Sequence, residues 1–463
     1  MKIKIIEFLF CLLFACGVIF LSCAASDGDD NDDDEPDIDD DGDDDDSDDD
    51  ADDDQSDSSM LVGFAQIDIT PQMPVKLAGY DMFFISEQFC RWSTEVHDPL
   101  YAQAMVLDDT KTDSAVILVV LDVIGLMRPD IEKIQNKIVS ALPVNFDEVI
   151  VAATHTHHGP DTIGIWGVMI PPISGRQEEI VEQMIDGAAN AAIEAWNLRV
   201  PATLKYAQGT FSEWHENIID EDPDRLIDDA ITILAAYDEQ ENILGTCLNW
   251  SSHPTVMGQD STVISSDFPG VYYRQMKEEF GGVHLYVNGA IGAMIQPTNK
   301  WSAPDEWNEV EDMGRALADK ALLLTAEAMA IENASIASFI SLEAPVKLTN
   351  PIFPLAGALG LIARSIPPLG EHTNCRVTSF AIGPVTFGTM PGEFVPDYAL
   401  RLRETMGGEA QFLICLGMDW IGYVLTPRQA SHPAYLYERA LCPSAYAGDA
   451  IAAIYEDIWG YED

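Results

Sequence analysis

The chain has 463 residues and carries 78 Asp and Glu against 24 Lys and Arg, a net charge of −54 at neutral pH. Such acidity excludes a nucleic-acid partner, because a phosphate backbone needs a basic patch to offset it. The length allows a large buried core in one domain or two.

At the start of the chain, Lys2 and Lys4 precede an apolar run from Phe8 to Leu21, and Ser22-Cys23 follows. A charged beginning, a short apolar stretch and a small residue at the cut describe an export signal. The cysteine directly after that small residue resembles a bacterial lipobox, although Glu7 and Phe20 depart from the usual pattern. The run is shorter than the ~20 apolar residues that span a bilayer. We therefore expect residues 1–22 to be a lipoprotein signal peptide and Cys23 to be lipidated. The chain would then be exported and anchored at the outer membrane or cell surface. Residues 24–59 hold 21 Asp and one Glu with no Lys or Arg. Such a stretch repels itself and cannot collapse, so 23–59 reads as the lipidated cysteine and a disordered spacer. Asp37 to Asp46 hints at calcium loops but lacks their closing bidentate Glu. Taking the 22 acidic residues of this window and the net +1 before it from −54 leaves −33 for residues 60–463.

From Met60 onward, strand-like and helix-like segments alternate. Ala115–Val123 and Glu148–Ala153 are apolar runs of the length of buried strands. Between them Ile131, Ile134, Ile138 and Leu142 repeat at helical spacing, which predicts a helix over Pro129–Leu142. A second helix is expected over Arg176–Asn197, where Ile180, Met184, Ala188, Ala192 and Trp196 recur every four residues. Asp229–Ala236 and Ile243–Trp250 read as a strand pair joined by a polar turn. A helix over Phe268–Phe280, a short strand over His284–Val287 and a long helix over Glu309–Ile331 follow. Strands near Val377–Ile382, Val385–Gly388 and Gln411–Leu416 come last. This alternation predicts an α/β (α+β) fold: one large catalytic domain, 60–463, on mixed β-sheet with flanking helices. Of its five cysteines, Cys247 and Cys415 lie in apolar runs and read as core; the odd number leaves at least one thiol free.

The chemistry concentrates where strands end. Residues 152–160 read Ala-Ala-Thr-His-Thr-His-His-Gly-Pro, so three of the nine histidines fall within four positions. They follow an apolar strand and precede a Gly-Pro turn. Imidazole is the commonest metal ligand, and in an extended segment an i, i+2 pair such as His155 and His157 leaves one face. A buried structural cluster is the alternative, but unpartnered imidazoles are costly to bury. Three further segments sit at strand or helix ends: Ser252-His253-Pro254-Thr255, Met390-Pro391-Gly392-Glu393-Phe394 and Trp420-Ile421-Gly422-Tyr423-Val424. Glu393 in its Pro-Gly turn also fits an acid at a helix N-terminus, and Tyr423 also fits a core position.

Together these motifs resemble the neutral/alkaline, non-lysosomal ceramidase family. The resemblance runs from Val62-Gly63-Phe64-Ala65-Gln66-Ile67-Asp68 to Tyr437-Glu438. It passes through Ala78-Gly79-Tyr80, His97-Asp98-Pro99, Leu121-Asp122, Thr154-His155-Thr156-His157, Ser266-Asp267-Phe268-Pro269-Gly270 and Pro391-Gly392-Glu393. It implies a catalytic N-terminal domain that hydrolyses the N-acyl amide bond of ceramide or a related lipoamide. It further implies one Zn2+ per chain held by His155, His253, Glu393 and Tyr423, with a position left for water or a substrate oxygen. His157 would stand beside the metal as an acid–base or oxyanion partner. Asp122, Asp267 and His158 are candidates to orient a ligand imidazole, while capping is the other reading of both aspartates.

Two features depart from the family pattern. Gly289 to Pro297 occupies the place of a Gly-Asp-x-Ser-Pro-Asn motif and contains no serine, and an Asn-Arg pair has no clean match near Glu216-Asn217-Ile218. Family members also carry a C-terminal immunoglobulin-like domain, and the resemblance here covers the catalytic part alone. The loop Ile165–Pro172 and the stretch Asn350–Gly370, charge-free except for Arg364, read either as a lipid-binding lip or as packed core loops. Trp166 and Met169 are the substrate-binding candidates. The expected partners are a lipid or lipoamide substrate and a membrane reached through Cys23, with no protein partner inferred. A zinc hydrolase of another acyl amide or ester, and a binding lipoprotein without turnover, remain as alternatives.

Overall fold

The computed structural model describes residues 60–72, 74–219, 222, 224–297, 306–362 and 364–460. The expected signal peptide over 1–22, the expected lipidation of Cys23 and the acidic stretch to residue 59 lie outside the described residues. The first sheet contains β1 (Met60–Asp68), β2 (Tyr101–Asp109), β3 (Ser114–Leu121) and β4 (Val149–Ala153), with the short β5 (Val200–Pro201) at one edge. Its order is β4-β3-β2-β1-β5, with β3 and β4 parallel and the other pairs antiparallel. A crossover is required between parallel neighbours, and α1 (Arg128–Ala141) supplies it. With α2 (Glu178–Asn197), α1 covers the outer face of this sheet.

The second sheet contains β6 (Thr203–Thr210), β8 (Ala230–Tyr237), β9 (Ile243–Trp250), β10 (Val283–Asn288) and β12 (Met329–Ala330), in the order β10-β9-β8-β6-β12. A short β7 (His215–Asn217) pairs with β11 (Ile295–Pro297) outside it. Here α3 (Phe268–Phe280) is the crossover between the parallel β9 and β10, and α4 (Glu306–Glu327) packs beside it. The third sheet is β13 (Ile336–Lys347), β14 (His372–Ile382), β15 (Val385–Met390) and β17 (Ala410–Cys415), with α5 (Ile352–Ala358) in the connection before β14. A two-residue β16 (Glu393–Phe394) pairs parallel with β18 (Tyr423–Val424), and α6 (Pro396–Thr405) lies between them.

Inward-facing side chains of all three sheets form one core: Val62, Leu118 and Ala152 from the first, Leu234 and Leu285 from the second, Phe387 and Phe412 from the third. The helices pack on outer faces, which gives the mixed α/β layering expected of such patterning. The β8–β9 hairpin and α3 occur where periodicity places them. The expected long helix ends four residues early, at Glu327, because Met329 and Ala330 turn to pair with β6. All five cysteines of residues 60–460 are buried and free.

Candidate metal centre

β4 ends at Ala153, and the chain then follows the exit of β3: Thr154 N donates to Leu121 O at 3.0 Å and His155 N to Val123 O at 2.9 Å. His155 adopts φ +73°, a left-handed conformation that costs a side-chain-bearing residue on the order of 1–2 kcal/mol. The segment is therefore not extended at His155, and the i, i+2 geometry expected of it does not apply. The bend does the converging instead, bringing the His155 and His157 rings to 5.0 Å between centroids. His253 follows β9 by three residues. Its main chain and ring both address one oxygen, with N and Nδ1 at 3.0 and 2.7 Å from Ile295 O. The His155 and His253 rings lie 4.9 Å apart, and ring nitrogens of His155, His157 and His253 all fall within 4.8 Å of one another.

Glu393 enters from β16, a strand and not the helix start that its Pro-Gly turn suggested. Its register partner across the two-residue ladder is Tyr423. One carboxylate oxygen, Oε1, accepts from Trp420 Nε1 at 3.0 Å, and the other, Oε2, stands 3.4 Å from Nε2 of both His155 and His253. The Tyr423 hydroxyl donates to Met294 Sδ at 3.3 Å. Four of the sequence candidates thus meet in one buried place, with His157 as a fifth member.

The proton inventory of this place is decisive. Nδ1 of His155 lies 2.5 Å from Ile124 O and Nδ1 of His253 lies 2.7 Å from Ile295 O. A carbonyl oxygen only accepts, so both Nδ1 atoms carry a proton, and in the neutral form of each ring Nε2 then presents a lone pair. Those lone pairs face the Glu393 carboxylate, which has none to offer in return but more lone pairs. His253 Nε2, Glu393 Oε2 and both ring nitrogens of His157 have no hydrogen-bond partner although buried. Each such orphan costs about 1–3 kcal/mol. A cation among them would satisfy His253 Nε2 and Glu393 Oε2 at once, and two imidazoles with a carboxylate are suitable ligands for a divalent metal.

The electrostatics agree. Burial holds the His253 imidazole below its usual value, and burial with the neighbouring His155 and His253 rings holds His157 well below. Burial alone would raise the Glu393 carboxyl, yet the two facing imidazoles in their protonated, donating form hold it well under the carboxylate range, the work a bound cation would otherwise do. The Tyr423 phenol is pushed well above its normal value by burial and by Glu393. A bound divalent ion would reverse that last bias.

The other candidates lie elsewhere. Neither Nδ1 is oriented by an aspartate; main-chain carbonyls do that work. Asp122 accepts from Tyr101 N, Thr154 Oγ1 and Tyr273 OH at 2.9–3.1 Å, fixing the strand ends beneath His155. Burial pushes its carboxyl up to about 7. Asp267 accepts from Phe268 N at 2.7 Å as the cap of α3, and from Met257 N at 3.2 Å in the turn after His253. His158 points to Val263 O (3.2 Å) and is outside the group of three histidines. Trp166 is buried in the core and Met169 is half-buried. Sequence reasoning missed Trp420 as the partner of Glu393, and it missed the contact of Gly79 with His157. Gly79 has φ +106°, and a Cβ there would meet the His157 ring at 2.3–2.4 Å and its Cβ at 2.6 Å. The Ala78-Gly79-Tyr80 motif was the available signal.

The family model for the neutral/alkaline non-lysosomal ceramidase, N-terminal, matches residues 60–301. This chain belongs to that family. A neutral ceramidase of Pseudomonas aeruginosa is 24% identical over 186 residues, which are 38% of this chain and 28% of that relative. The crystal structure of the neutral ceramidase from Pseudomonas aeruginosa superposes with a TM-score of 0.70 at 18% identity, covering 87% of this chain and 74% of the other. A ceramidase complexed with C2 gives the same TM-score and identity, over 87% and 75%. The ceramidase-like chain therefore shares their mixed α/β fold.

Proposed function

We propose that this ceramidase-family chain is a zinc-dependent amidohydrolase that cleaves the N-acyl bond of ceramide or a related lipoamide. The observation that carries the reading is the convergence of two buried imidazole Nε2 atoms on one buried carboxylate oxygen, 3.4 Å from each. His155, His253 and Glu393 would hold the ion, with the Tyr423 hydroxyl as fourth ligand. When bound, zinc supplies the Lewis acidity that polarises an acyl carbonyl and brings the pKa of water to about 7. Trp420 holds Glu393 Oε1 and leaves Oε2 turned to the two imidazoles, where it would be available to an ion. His157 keeps both ring nitrogens free of protein partners, and burial keeps it neutral, so it can take a proton from the attacking water and return it to the leaving amine. The spacer and Cys23 would tether the domain beside a membrane carrying its substrate.

A second reading, hydrolysis of a different acyl amide or ester at the same centre, is favoured by Gly292. Its N donates to Phe394 O at 2.7 Å, and a Cβ would meet main-chain atoms of Glu393, Phe394 and Val395 at 2.6–2.7 Å. The serine-free stretch thus packs directly on the strand bearing Glu393. Metal analysis of the purified protein with an activity assay decides between the readings. About one zinc per chain with ceramide hydrolysis supports the first, and zinc with turnover of other acyl compounds only supports the second. His155→Ala and His253→Ala should each lose zinc and at least ~10³-fold in activity while staying folded. Full zinc in both variants would sink the ligand assignment.

A further inference from the structure

The chain beside the metal centre forms an outward-running ribbon. Leu77 bridges Pro160, Phe83 N donates to Ile165 O and Phe84 N to Gly167 O, each at 3.0 Å, and Met169 N returns to Phe84 O at 2.7 Å. Its inner end is Gly79, packed on the His157 ring. Its outer end carries exposed apolar side chains, Ile85 at 53%, Phe89 at 51%, Ile170 at 66% and Ile173 at 41%, with Glu87, paired to Lys76, between the first two. Ser174 Oγ donates to Leu361 O at 2.7 Å, which joins the 350–370 segment to the same ribbon, and Leu369 there is 54% exposed. Single exposed apolar side chains are ordinary, whereas a group of them on adjoining loops marks a contact surface.

Charge selects the partner. Residues 162–175 contain no charged side chain. The cations of the adjoining segments are engaged: Lys76 with Glu87 at 3.0 Å, Arg364 with Asp419 at 2.7 Å, and Arg91 with the carbonyls of Ala78 and Ser261 at 2.8 Å. A domain with a net charge of −33 and, among the described residues of this tip, no cation without a partner is repelled by an anionic surface and by a second copy of itself. We infer that the ribbon docks on an electroneutral lipid surface, with Ile85, Phe89, Ile170 and Ile173 seated among the acyl chains and the metal centre at the ribbon's inner end. The inference rests on the proposed lipid chemistry only for the use of that orientation.

The test uses the full chain and phosphatidylcholine vesicles, so that any contribution of residues 1–59 is common to every variant. Ile170→Trp places a fluorophore at the tip. Its emission should shift to the blue on vesicle addition and be quenched by brominated phosphatidylcholine beyond the wild-type signal. No added quenching would overturn the docking surface. In a second measurement, Ile85→Ser, Phe89→Ser and Ile170→Ser are combined. Burying one such side chain is worth about tenfold or more in partitioning. Hydrolysis of a vesicle-borne lipoamide at low vesicle concentration should therefore fall by at least ~100-fold, with turnover of a water-soluble short-chain amide unchanged. Equal loss on both substrates would also overturn it, since the loops would then be shaping the site. A lipid-free dimer abolished by the triple variant would assign the surface to self-association and reject the lipid. Should the wild type hydrolyse no amide while Ile170→Trp still inserts, the proposed function fails and the docking surface stands.

Discussion

Arg176–Asp130 and the His155–His253–Glu393 group are both buried polar clusters, and they are built in opposite ways. Arg176 grips Asp130 with two parallel hydrogen bonds of 2.6 and 2.9 Å, adds Thr162 O at 2.6 Å and sends Nε to Glu178 at 2.7 Å. Donors meet acceptors, and the cluster closes on itself. In the metal centre acceptors meet acceptors, on a backbone bent into φ +73° at His155. Folding alone gains nothing from that arrangement. Buried polar groups left open in this way identify a place whose missing partner is a ligand.

The difference predicts opposite responses to truncation. Arg176→Met leaves the buried Asp130 carboxylate with only Lys133 Nζ, 3.5 Å away, and should destabilise the protein by about 3 kcal/mol in urea unfolding, with zinc content per folded molecule unchanged. His155→Ala should do the reverse, emptying the metal site while the metal-free protein keeps its stability to within about 1 kcal/mol. Comparable unfolding penalties for the two variants, both measured without metal, would break the comparison.

Gly79→Ala tests whether the open cluster depends on a packed neighbour. The new methyl meets the His157 ring, and φ +106° strains any side chain, so the ring must shift. Because His155, His253 and Glu393 are untouched, zinc should stay bound while kcat falls roughly 100-fold, a size typical of a displaced acid–base group. Loss of zinc together with activity would mean that His157 is itself a ligand, which its ring nitrogens within 4.8 Å of the others also permit.

Much of this was legible in the chain because the responsible segments are long. Ile243–Trp250 and Phe268–Phe280 carry enough periodic positions to set their own boundaries, and the strand-end histidines follow from the strands. Glu393 and Tyr423 were found through motif resemblance, because the strands that align them are two residues each and too short for any period. β13 was missed because its residues are largely exposed and include Pro345, so its apolar face is weak. The orienting groups were hidden for a different reason. Ile124 O and Ile295 O are main-chain atoms, and no side-chain pattern announces which carbonyl a ring will meet. Trp420 stood in the sequence only as the first residue of the Tyr423 segment, and nothing there announces that its one polar atom meets Glu393.

The smallest expected effect concerns a histidine of the closed kind. His284 has both ring nitrogens engaged, Nδ1 with Thr246 Oγ1 at 3.0 Å and Nε2 with Gly281 O at 2.7 Å, and burial pulls it down to about 4. Its unfolded value is near 6.5, so between pH 6.5 and 4 the unfolded chain binds the extra proton. Stability from this residue is therefore complete above about pH 6.5 and drains away as the pH falls towards 4. His284→Gln keeps a donor for Gly281 O and an acceptor for the Thr246 hydroxyl but cannot titrate. The stability lost between pH 6.5 and 4.5 should shrink by about 2 kcal/mol in the variant, measured by urea unfolding at each pH. Asp122 and Glu438, both pushed up to about 7 by burial, tilt the profile the other way, but they act alike in both proteins and cancel in the difference. Zinc content should not change. An unaltered acid slope would mean that His284 is already protonated in the native state. Its contact with Thr246 would then have to be re-read as a donation from the ring, and the distinction between closed and open histidines would lose its best control.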